Sequence, residues 1–303
     1  MPGNSQVYET NPDYWDSESI DGKEFKLPYV DKITYRIIKN EATRVTALRT
    51  GKLDLMEYLR RQGAEELKKS TPTLKSSRSL SMSGTFLSMR VDQKPFDDIR
   101  VRRAMNMAVN KEEIIKAYYN RNAELFAYPQ HPEYTGYFQS LSEQRPTCWS
   151  YSSTIRRRPK RFLTEAGYPN GFTFNTQVCS SNADHMDFVP LVAAYLEQVG
   201  VKMEIQPMEY AAFLSMMTPR TLAAGYFTNN GHTAPTPTIR KSFTSGQILN
   251  TSQWSDPKLD ERMEAAYQGR DEFKRQAALR AMTTRRRTSG SQPPTTSPHG
   301  GLG

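Results

Sequence analysis

Cysteine and histidine are scarce in this sequence, and it contains no long apolar run. Two cysteines, Cys148 and Cys179, cannot build the disulfide network that stabilises small secreted domains. His131, His185 and His232 lack the spacing of metal ligands, so we expect no metal site. No stretch approaches the roughly 20 apolar residues of a bilayer-spanning helix. These absences argue against a disulfide-rich domain and against membrane-spanning helices. With no basic start followed by an apolar core, we also expect no signal peptide in the sequence as written.

Acidic residues are absent from two basic stretches that together carry the excess positive charge. Residues 145–161 and residues 274–303 each hold six Lys or Arg, while the whole chain has a formal net charge of +9. Because a nucleic-acid-binding domain spreads its basic residues over one folded face, this distribution argues against a nucleic-acid partner. The alternative that stays open is a basic protein that binds RNA or a membrane surface through its arginine clusters.

Short strands and helices alternate in the first part of the chain. Val30–Ile38 is rich in β-branched and aromatic residues and predicts a strand. Asn40 predicts the cap of a helix that closes at Gly51. We expect a further short strand at Leu53–Met56 and a charged helix at Ala64–Ser70.

A second group of elements follows. Thr85–Val91 alternates as a strand does, and Arg100–Val109 places its apolar residues on one helical face. Asn110 and Glu113 have the spacing of a capping box, which predicts the start of another helix.

From residue 171 onward the pattern is strand, helix, strand. Phe172–Val178 and Val201–Ile205 predict parallel strands, joined by an amphipathic helix at Met186–Val199. Pro190 fits that helix if it lies near the first turn. Asp256–Gln268 predicts a final helix.

Four sequence blocks together resemble one family. The blocks are NPDYW followed by LPYVDKITYRII (Asn11–Ile38), FLSMRVDQKPFDDIRVRRAMNMAVNKEEII (Phe86–Ile115), EAGYPNGF (Glu165–Phe172) and WSDPKLDERME (Trp254–Glu264). In order and spacing they are similar to the family 5 extracellular solute-binding proteins, the peptide- and nickel-type receptors of ABC importers. The resemblance covers roughly residues 5–282.

The resemblance implies an α/β fold. The chain is expected to form one lobe of a two-lobed periplasmic-binding-protein (class II) fold, with a mixed sheet flanked by helices. Residues 1–36 are expected to be a remnant of the first lobe and crossover strand. Residues 37–282 are expected to form the second ligand-binding lobe, with an irregular insert at 145–161. Residues 283–303 are expected to be a disordered tail. Family members carry a signal peptide and most of the first lobe before the NPDYW block, so we expect this chain to be a truncated receptor.

The resemblance also implies a function. It predicts the solute-binding component of an ABC importer, a monomer that captures a small-molecule or peptide solute between two lobes and delivers it to an ABC permease. The expected location is the periplasm or the extracellular face of the membrane. The resemblance implies no enzyme activity, no cofactor and no metal. One lobe alone is expected to bind weakly or not at all.

The resemblance further points to candidate binding residues. Peptide receptors of this family carry a Gly-Trp pair with an aspartate three residues after the Trp, which holds the peptide's amino group. The matching stretch here is Gly225-Tyr226-Phe227-Thr228-Asn229, so Tyr226 replaces the Trp and Asn229 replaces the Asp. The amide of Asn229 cannot neutralise an ammonium group. Two interpretations follow: the solute has a neutral polar group at this point, or the loop has simply diverged. Tyr210 matches a second aromatic of the cleft, with ordinary packing as its alternative role.

A shift of the reading frame is one hypothesis for the origin of the two basic stretches. Family members carry a segment similar to Asp-Pro-Ala-Lys-Ala-Lys before the third block, and Thr154–Lys160 can be back-translated so that the neighbouring frame encodes it. Residues 145–161 and 283–303 would then be frameshift products, the alternative being a genuine basic loop and a natural tail.

An acidic pair suggests a third class of function. Asp97 and Asp98 are neighbouring carboxylates, as acid–base catalysis requires in a hydrolase. They also precede a predicted helix, where acids complement the helix dipole, and that structural role is favoured.

Overall fold

The computed structural model describes residues 3–81, 84–126, 131–138, 140, 157–230, 234–269, 275–279, 295–297 and 300–301. They fall into two compact units, residues 3–77 and residues 78–301. The helices α1 (Glu41–Arg49) and α2 (Arg61–Ser70) belong to the first unit. The predicted division between lobes after residue 36 stays a prediction. No helix of the described part is long and apolar enough to cross a membrane.

The first unit combines two strand pairs with the two helices. Its strands are β1 (Ser5–Glu9), β2 (Ser17–Ile20), β3 (Lys23–Lys26) and β4 (Lys32–Arg36). β1 pairs antiparallel with β4, β2 pairs antiparallel with β3, and all four strands are exposed along their length. The predicted strand at Val30–Ile38 is confirmed as β4. The predicted capping of α1 is also confirmed, since Asn40 Oδ1 accepts a hydrogen bond from the Thr43 backbone N–H at 3.0 Å.

The predicted strand at Leu53–Met56 is wrong. The segment has no strand partner, and Met56 packs instead into a small cluster with Val45, Leu59 and Leu67. That cluster joins α1 to α2. Burial of one side chain therefore decides the conformation of this segment, which a strand-like pattern alone does not predict.

The second unit is built on a mixed sheet of six strands in the order β7–β11–β6–β10–β8–β9. The strands of this unit are β5 (Ser79–Leu80), β6 (Gly84–Met89), β7 (Glu124–Phe126), β8 (Phe172–Cys179), β9 (Val201–Met208), β10 (Gly225–Asn230), β11 (Thr295–Ser297) and β12 (Gly300–Gly301). β8 pairs in parallel with β9, as the strand–helix–strand pattern predicts. β8 also pairs in parallel with β10, and β6 is antiparallel to β10.

Helices cover the sheet around two large apolar clusters. The helices of this unit are α3 (Ile99–Ala108), α4 (Lys111–Ala117), α5 (Arg157–Glu165), α6 (Ala183–Glu197), α7 (Tyr210–Met217), α8 (Pro235–Phe243) and α9 (Pro257–Gln268). Side chains alternate along a strand, so Leu87 of β6 joins the cluster of α3, α5 and α6, whereas Phe86 joins the cluster of α8 and α9. Both faces of β6 are thus buried.

Local sequence signals explain most helix boundaries. Asn110 accepts a hydrogen bond from the Glu113 N–H at 3.1 Å, which confirms the predicted cap of α4. Asp256 caps α9 through the N–H groups of Lys258 and Leu259. Pro190, however, lies in the interior of α6 rather than in its first turn. Burial of the apolar face of α6 compensates for the hydrogen bond that proline cannot donate.

Two predicted irregular segments are described in part. α5 begins at Arg157, so residues 157–161 of the predicted irregular insert are helical, while residues 145–156 lie outside the described part. In the predicted disordered tail, β11 and β12 are strands and the other residues from 283 to 303 lie outside it. Disorder of those other residues stays a prediction.

Candidate functional site

One edge of the six-stranded sheet gathers the ends of several strands. β8 and β9 are in parallel register up to Cys179↔Met208, and β10 runs parallel to β8. The carboxyl ends of these strands therefore lie at the same edge, where β6 begins with Gly84 opposite Asn230. In open α/β sheets, ligands bind in the crevice outside the carboxyl ends of the strands. We call this candidate site the carboxyl edge.

Short polar side chains hold the loops of the carboxyl edge together. The N–H and the hydroxyl of Ser180 both donate to the carbonyl oxygen of Met208, at 2.8 and 2.9 Å, and join the loops after β8 and β9. Asn182 caps the start of α6. Glu209 caps the start of α7, where its carboxylate accepts from the Ala211 N–H at 2.7 Å. These hydrogen bonds hold the loops of the carboxyl edge in fixed positions.

Two of the four predicted binding residues belong to the carboxyl edge. Tyr210 is the first residue of α7 and is 55% exposed, so its ring is accessible from solvent. Asn229 is the penultimate residue of β10, and its backbone pairs with Thr85 of β6. The side chain of Asn229 is outside the described part of the chain.

Tyr226 lies in the interior of the second unit. It is 2% exposed, and its ring packs 6.2 Å from the ring of Phe213 on α7. Its hydroxyl shares hydrogen bonds with Ser88 and Thr251, whose own oxygens lie 2.9 Å apart. Burial raises the pKa of Tyr226 to about 12. The side chain therefore connects β10 to β6 and to the turn at residue 251.

Phe227 is buried on the opposite face of β10. It is 3% exposed, and its ring lies 5.7 Å from Phe188 of α6 in an edge-to-face arrangement. The structure therefore does not gather Tyr210, Tyr226 and Phe227 on one surface. A direct role of these residues in binding stays a prediction.

A buried arginine that sequence reasoning missed positions the start of β10. Arg90 donates to both carboxylate oxygens of Asp92 at 2.8 and 2.6 Å and to the carbonyl oxygen of Arg220 at 2.8 Å. Its backbone N–H donates to the carbonyl oxygen of Ala224. The hydrogen bonds from Arg90 hold the pKa of the Asp92 carboxyl below its usual value. The contacts of Arg90 with Arg220 and Ala224 join residues 130 or more positions apart, so no local pattern indicates them.

Asp98 of the acidic pair has a structural role at the start of α3. The Asp98 carboxylate accepts from the Arg100 N–H at 2.7 Å and caps the helix. Hydrogen bonds from Arg100 lower the pKa of Asp98. This confirms the favoured interpretation for Asp98, and for Asp97 it stays a prediction. Within the described ranges, no three His, Cys, Asp or Glu side chains are grouped to hold a metal ion. His232 and Cys148 lie outside those ranges.

Comparison with known proteins identifies the family. The sequence pattern of the bacterial extracellular solute-binding proteins, family 5 Middle, matches residues 1–250. The chain belongs to the family 5 solute-binding proteins. The predicted family is therefore confirmed, and the family is one of solute-binding proteins.

Curated relatives of this family 5 protein are longer than the chain itself. It is 30% identical over 189 residues to the glutathione-binding protein GsiB of Pectobacterium atrosepticum. The aligned region covers 60% of this chain and 34% of GsiB. It is 26% identical over 208 residues to the heme-binding protein A of Haemophilus influenzae, covering 65% and 35% of the two chains. The match thus spans about a third of these relatives' length.

Solved structures show the fold. The periplasmic binding protein DppA from Helicobacter pylori, in complex with the peptide STSA, has a TM-score of 0.81 at 22% identity, with 99% of this chain and 56% of DppA covered. The oligopeptide-binding protein AppA from Bacillus subtilis, in complex with a nonapeptide, has a TM-score of 0.80 at 18% identity. The alignment covers 100% of this chain and 60% of AppA. The predicted periplasmic-binding-protein fold, with a mixed sheet and flanking helices, is confirmed.

Proposed function

We propose that this chain is the solute-binding component of an ABC importer and takes a peptide-like or other polar solute. The observation that carries the proposal is the family match over residues 1–250. The relative named for glutathione and the neighbouring structures with bound peptides support a solute of peptide chemistry. The expected partner is an ABC permease, and the expected location is the periplasm or the outer face of the membrane.

The carboxyl edge is the proposed surface for the solute. Tyr210 offers an accessible ring, and the polar loops that begin at Ser180 and Glu209 offer hydrogen-bonding groups at fixed positions. Asn229, at the end of β10, would pair with a neutral polar group of the solute. Tyr226 and Phe227 would act from the interior by holding β10 in place.

The proposed mechanism is capture without catalysis by a monomer. A second lobe closes over the solute held at the carboxyl edge, and burial between the two surfaces supplies the affinity. This chain covers 56–60% of the DppA and AppA chains. We therefore expect the 303-residue chain alone to bind its solute weakly, with a Kd of about 1 mM, equivalent to about −4 kcal/mol.

Nuclear magnetic resonance titration of the full chain tests the proposal. Glutathione, trialanine and tetra-alanine are added to the 15N-labelled chain, and we expect shifts confined to residues 179–182, 208–211 and 229–230. Tyr210→Ala should weaken binding several-fold because it removes the exposed ring. Tyr267→Ala is the matched control, since Tyr267 is 54% exposed on α9 and Tyr210 is 55% exposed.

Two results would overturn the proposal. The first is that no peptide of the panel shifts the carboxyl edge. The second is that Tyr267→Ala weakens binding as much as Tyr210→Ala does, because the carboxyl edge would then have no special role.

A further inference from the structure

A cavity lies in the core of the second unit, between the sheet and the helices α3, α4 and α6. Its volume is about 60 Å³. A buried water needs at least about 10–15 Å³ of such space, so the cavity has room for a molecule of about four to six non-hydrogen atoms. Most of its lining is apolar and includes Leu87, Met105, Ile114, Phe188 and Phe227. The cavity is therefore suited to the hydrocarbon part of a small molecule.

One wall of the cavity is polar and positively charged. Asn106, Val109 and Lys111 all belong to its lining. The Nζ of Lys111 donates to the carbonyl oxygen of Asn106 at 2.6 Å and to that of Val109 at 3.4 Å. The amine therefore lies at the wall that Asn106 and Val109 form. Among the described residues of the lining, Lys111 alone has an ionisable side chain.

Lys111 is a buried amine without a compensating carboxylate in the described part of the chain. Burial alone lowers its pKa to about 7, and no charged side chain of that part contributes to the shift. Lysine is almost never fully buried unless it is paired with an opposite charge. An ammonium group has three N–H donors, of which the carbonyl oxygens of Asn106 and Val109 take two. One donor is therefore left for an anionic group in the cavity.

We propose that this cavity binds a short-chain aliphatic monocarboxylate, such as butyrate or isobutyrate. The carboxylate accepts a hydrogen bond from the Nζ of Lys111, and the alkyl chain packs against the apolar part of the lining. The ligand compensates the buried charge, which a neutral molecule of the same shape does not. Its size of about six non-hydrogen atoms matches the volume of the cavity. The proposal does not rest on the proposed solute-binding function, because Ser180, Glu209 and Tyr210 are not among the described residues of the lining.

The binding of a carboxylate at Lys111 should depend on pH. The ligand pairs with the protonated amine, and the pKa of Lys111 in the free chain is about 7. Above that pH the amine must take up a proton before it can pair, so the affinity falls about tenfold for each pH unit. We therefore expect the Kd to rise about tenfold between pH 6 and pH 8. No other ionisable side chain is found among the described lining residues, so this dependence is specific to Lys111.

Nuclear magnetic resonance titration of the full chain with two ligands of the same shape tests the site. Isobutyrate carries a charge, and isobutyramide is its neutral counterpart. At pH 6 we expect isobutyrate to shift the methyl signals of Ile114 and Val192, which line the cavity, with a Kd of about 1 mM. Isobutyramide should bind at least about tenfold more weakly, because it forms no charge-assisted hydrogen bond. The methyl signals of Ile239, which belongs to a different apolar cluster, should not move.

Two methionine variants separate Lys111 from a surface lysine. Lys111→Met should lose the preference for isobutyrate over isobutyramide, since it removes the charge and keeps a side chain of similar length. Lys116→Met is the matched control on the same helix and should bind as the unaltered chain does, because Lys116 is exposed. If Lys111→Met does not fold, the two ligands and the two pH values decide the matter on the unaltered chain.

Four results would each overturn the proposal. Isobutyrate does not shift the signals of Ile114 and Val192, or it binds no more tightly than isobutyramide. The Kd of isobutyrate is the same at pH 6 and pH 8. Lys116→Met weakens the binding of isobutyrate as much as Lys111→Met does, in which case the carboxylate binds to surface charge and not in the cavity.

Discussion

Replacing Lys111 with methionine tests how the core of the second unit tolerates a buried amine. Lys111 is 6% exposed, and its Nζ donates to the carbonyl oxygens of Asn106 at 2.6 Å and Val109 at 3.4 Å. These carbonyl groups lie at the end of α3, where a helix leaves its last C=O groups without partners. Burial lowers the pKa of Lys111 from 10.5 to about 7.

The lowered pKa makes stability depend on pH. Between pH of about 7 and 10.5, the unfolded chain holds a proton on Lys111 that the folded chain does not hold. Unfolding then takes up a proton, so the free energy of unfolding rises as pH rises through this interval. At about 1.4 kcal/mol per pH unit, the whole interval corresponds to about 5 kcal/mol. Methionine carries no proton, and the Lys111→Met variant loses this dependence.

The two consequences of Lys111→Met oppose each other. Methionine leaves two carbonyl oxygens without their donor, which costs about 1–3 kcal/mol at any pH. It also removes the burial of a charge, which at pH 6 is worth about 5 kcal/mol. We therefore expect the variant to be more stable than the unaltered chain at pH 6 and less stable at pH 10.

Urea unfolding followed by circular dichroism at pH 6, 8 and 10 measures this reversal. Lys116→Met is the matched control, since Lys116 is exposed on the same helix and should give a difference that does not vary with pH. If the stability difference between Lys111→Met and the unaltered chain is the same at all three pH values, the argument from burial is refuted.

Three further substitutions, one of them with a control variant, test the second unit by urea unfolding. In Gly171→Ala the new Cβ would lie 1.8 Å from the carbonyl oxygen of Gly200, so we expect a loss of at least about 3 kcal/mol. Gly246→Ala, at a similar φ of +75° but with open space around it, should cost only about 1 kcal/mol, and equal losses would contradict the predicted clash. Asn182→Ala removes the cap of α6 and should cost about 0.5–2 kcal/mol, whereas an unchanged midpoint would show that the cap is dispensable. Tyr226→Phe should cost about 1 kcal/mol by removing a buried hydroxyl, and a gain in stability would show that this hydroxyl is poorly paired.

Helix caps were predictable because each depends on neighbours in sequence. Asn40 and Asn110 cap the helices that the sequence predicts to follow them. The parallel pair β8 and β9 was predictable for a similar reason, since alternation and a short intervening helix leave few other topologies. The wrong strand at Leu53–Met56 has the opposite cause. Its conformation depends on a cluster formed with two helices, which no short pattern contains.

The candidate site was predictable in position more than in geometry. The resemblance directs attention to residues 225–229, and this stretch does form a strand that ends at the carboxyl edge. It does not indicate that Tyr226 and Phe227 are buried, or that Arg90 and Asp92 hold the preceding loop. These features depend on contacts between residues far apart in the chain, such as Arg90 with Arg220.

The sequence by itself determined the family, the α/β class and most helix starts, because these depend on ordered blocks of residues and on hydrogen bonds within one turn. The tertiary structure alone decided which side chains of β10 are buried, how β6 and β7 are separated, and where Lys111 meets the end of α3. Each of these is set by surfaces that meet only after the chain has folded, and burial changes the energy of a tyrosine or a lysine far more than its neighbours in sequence do.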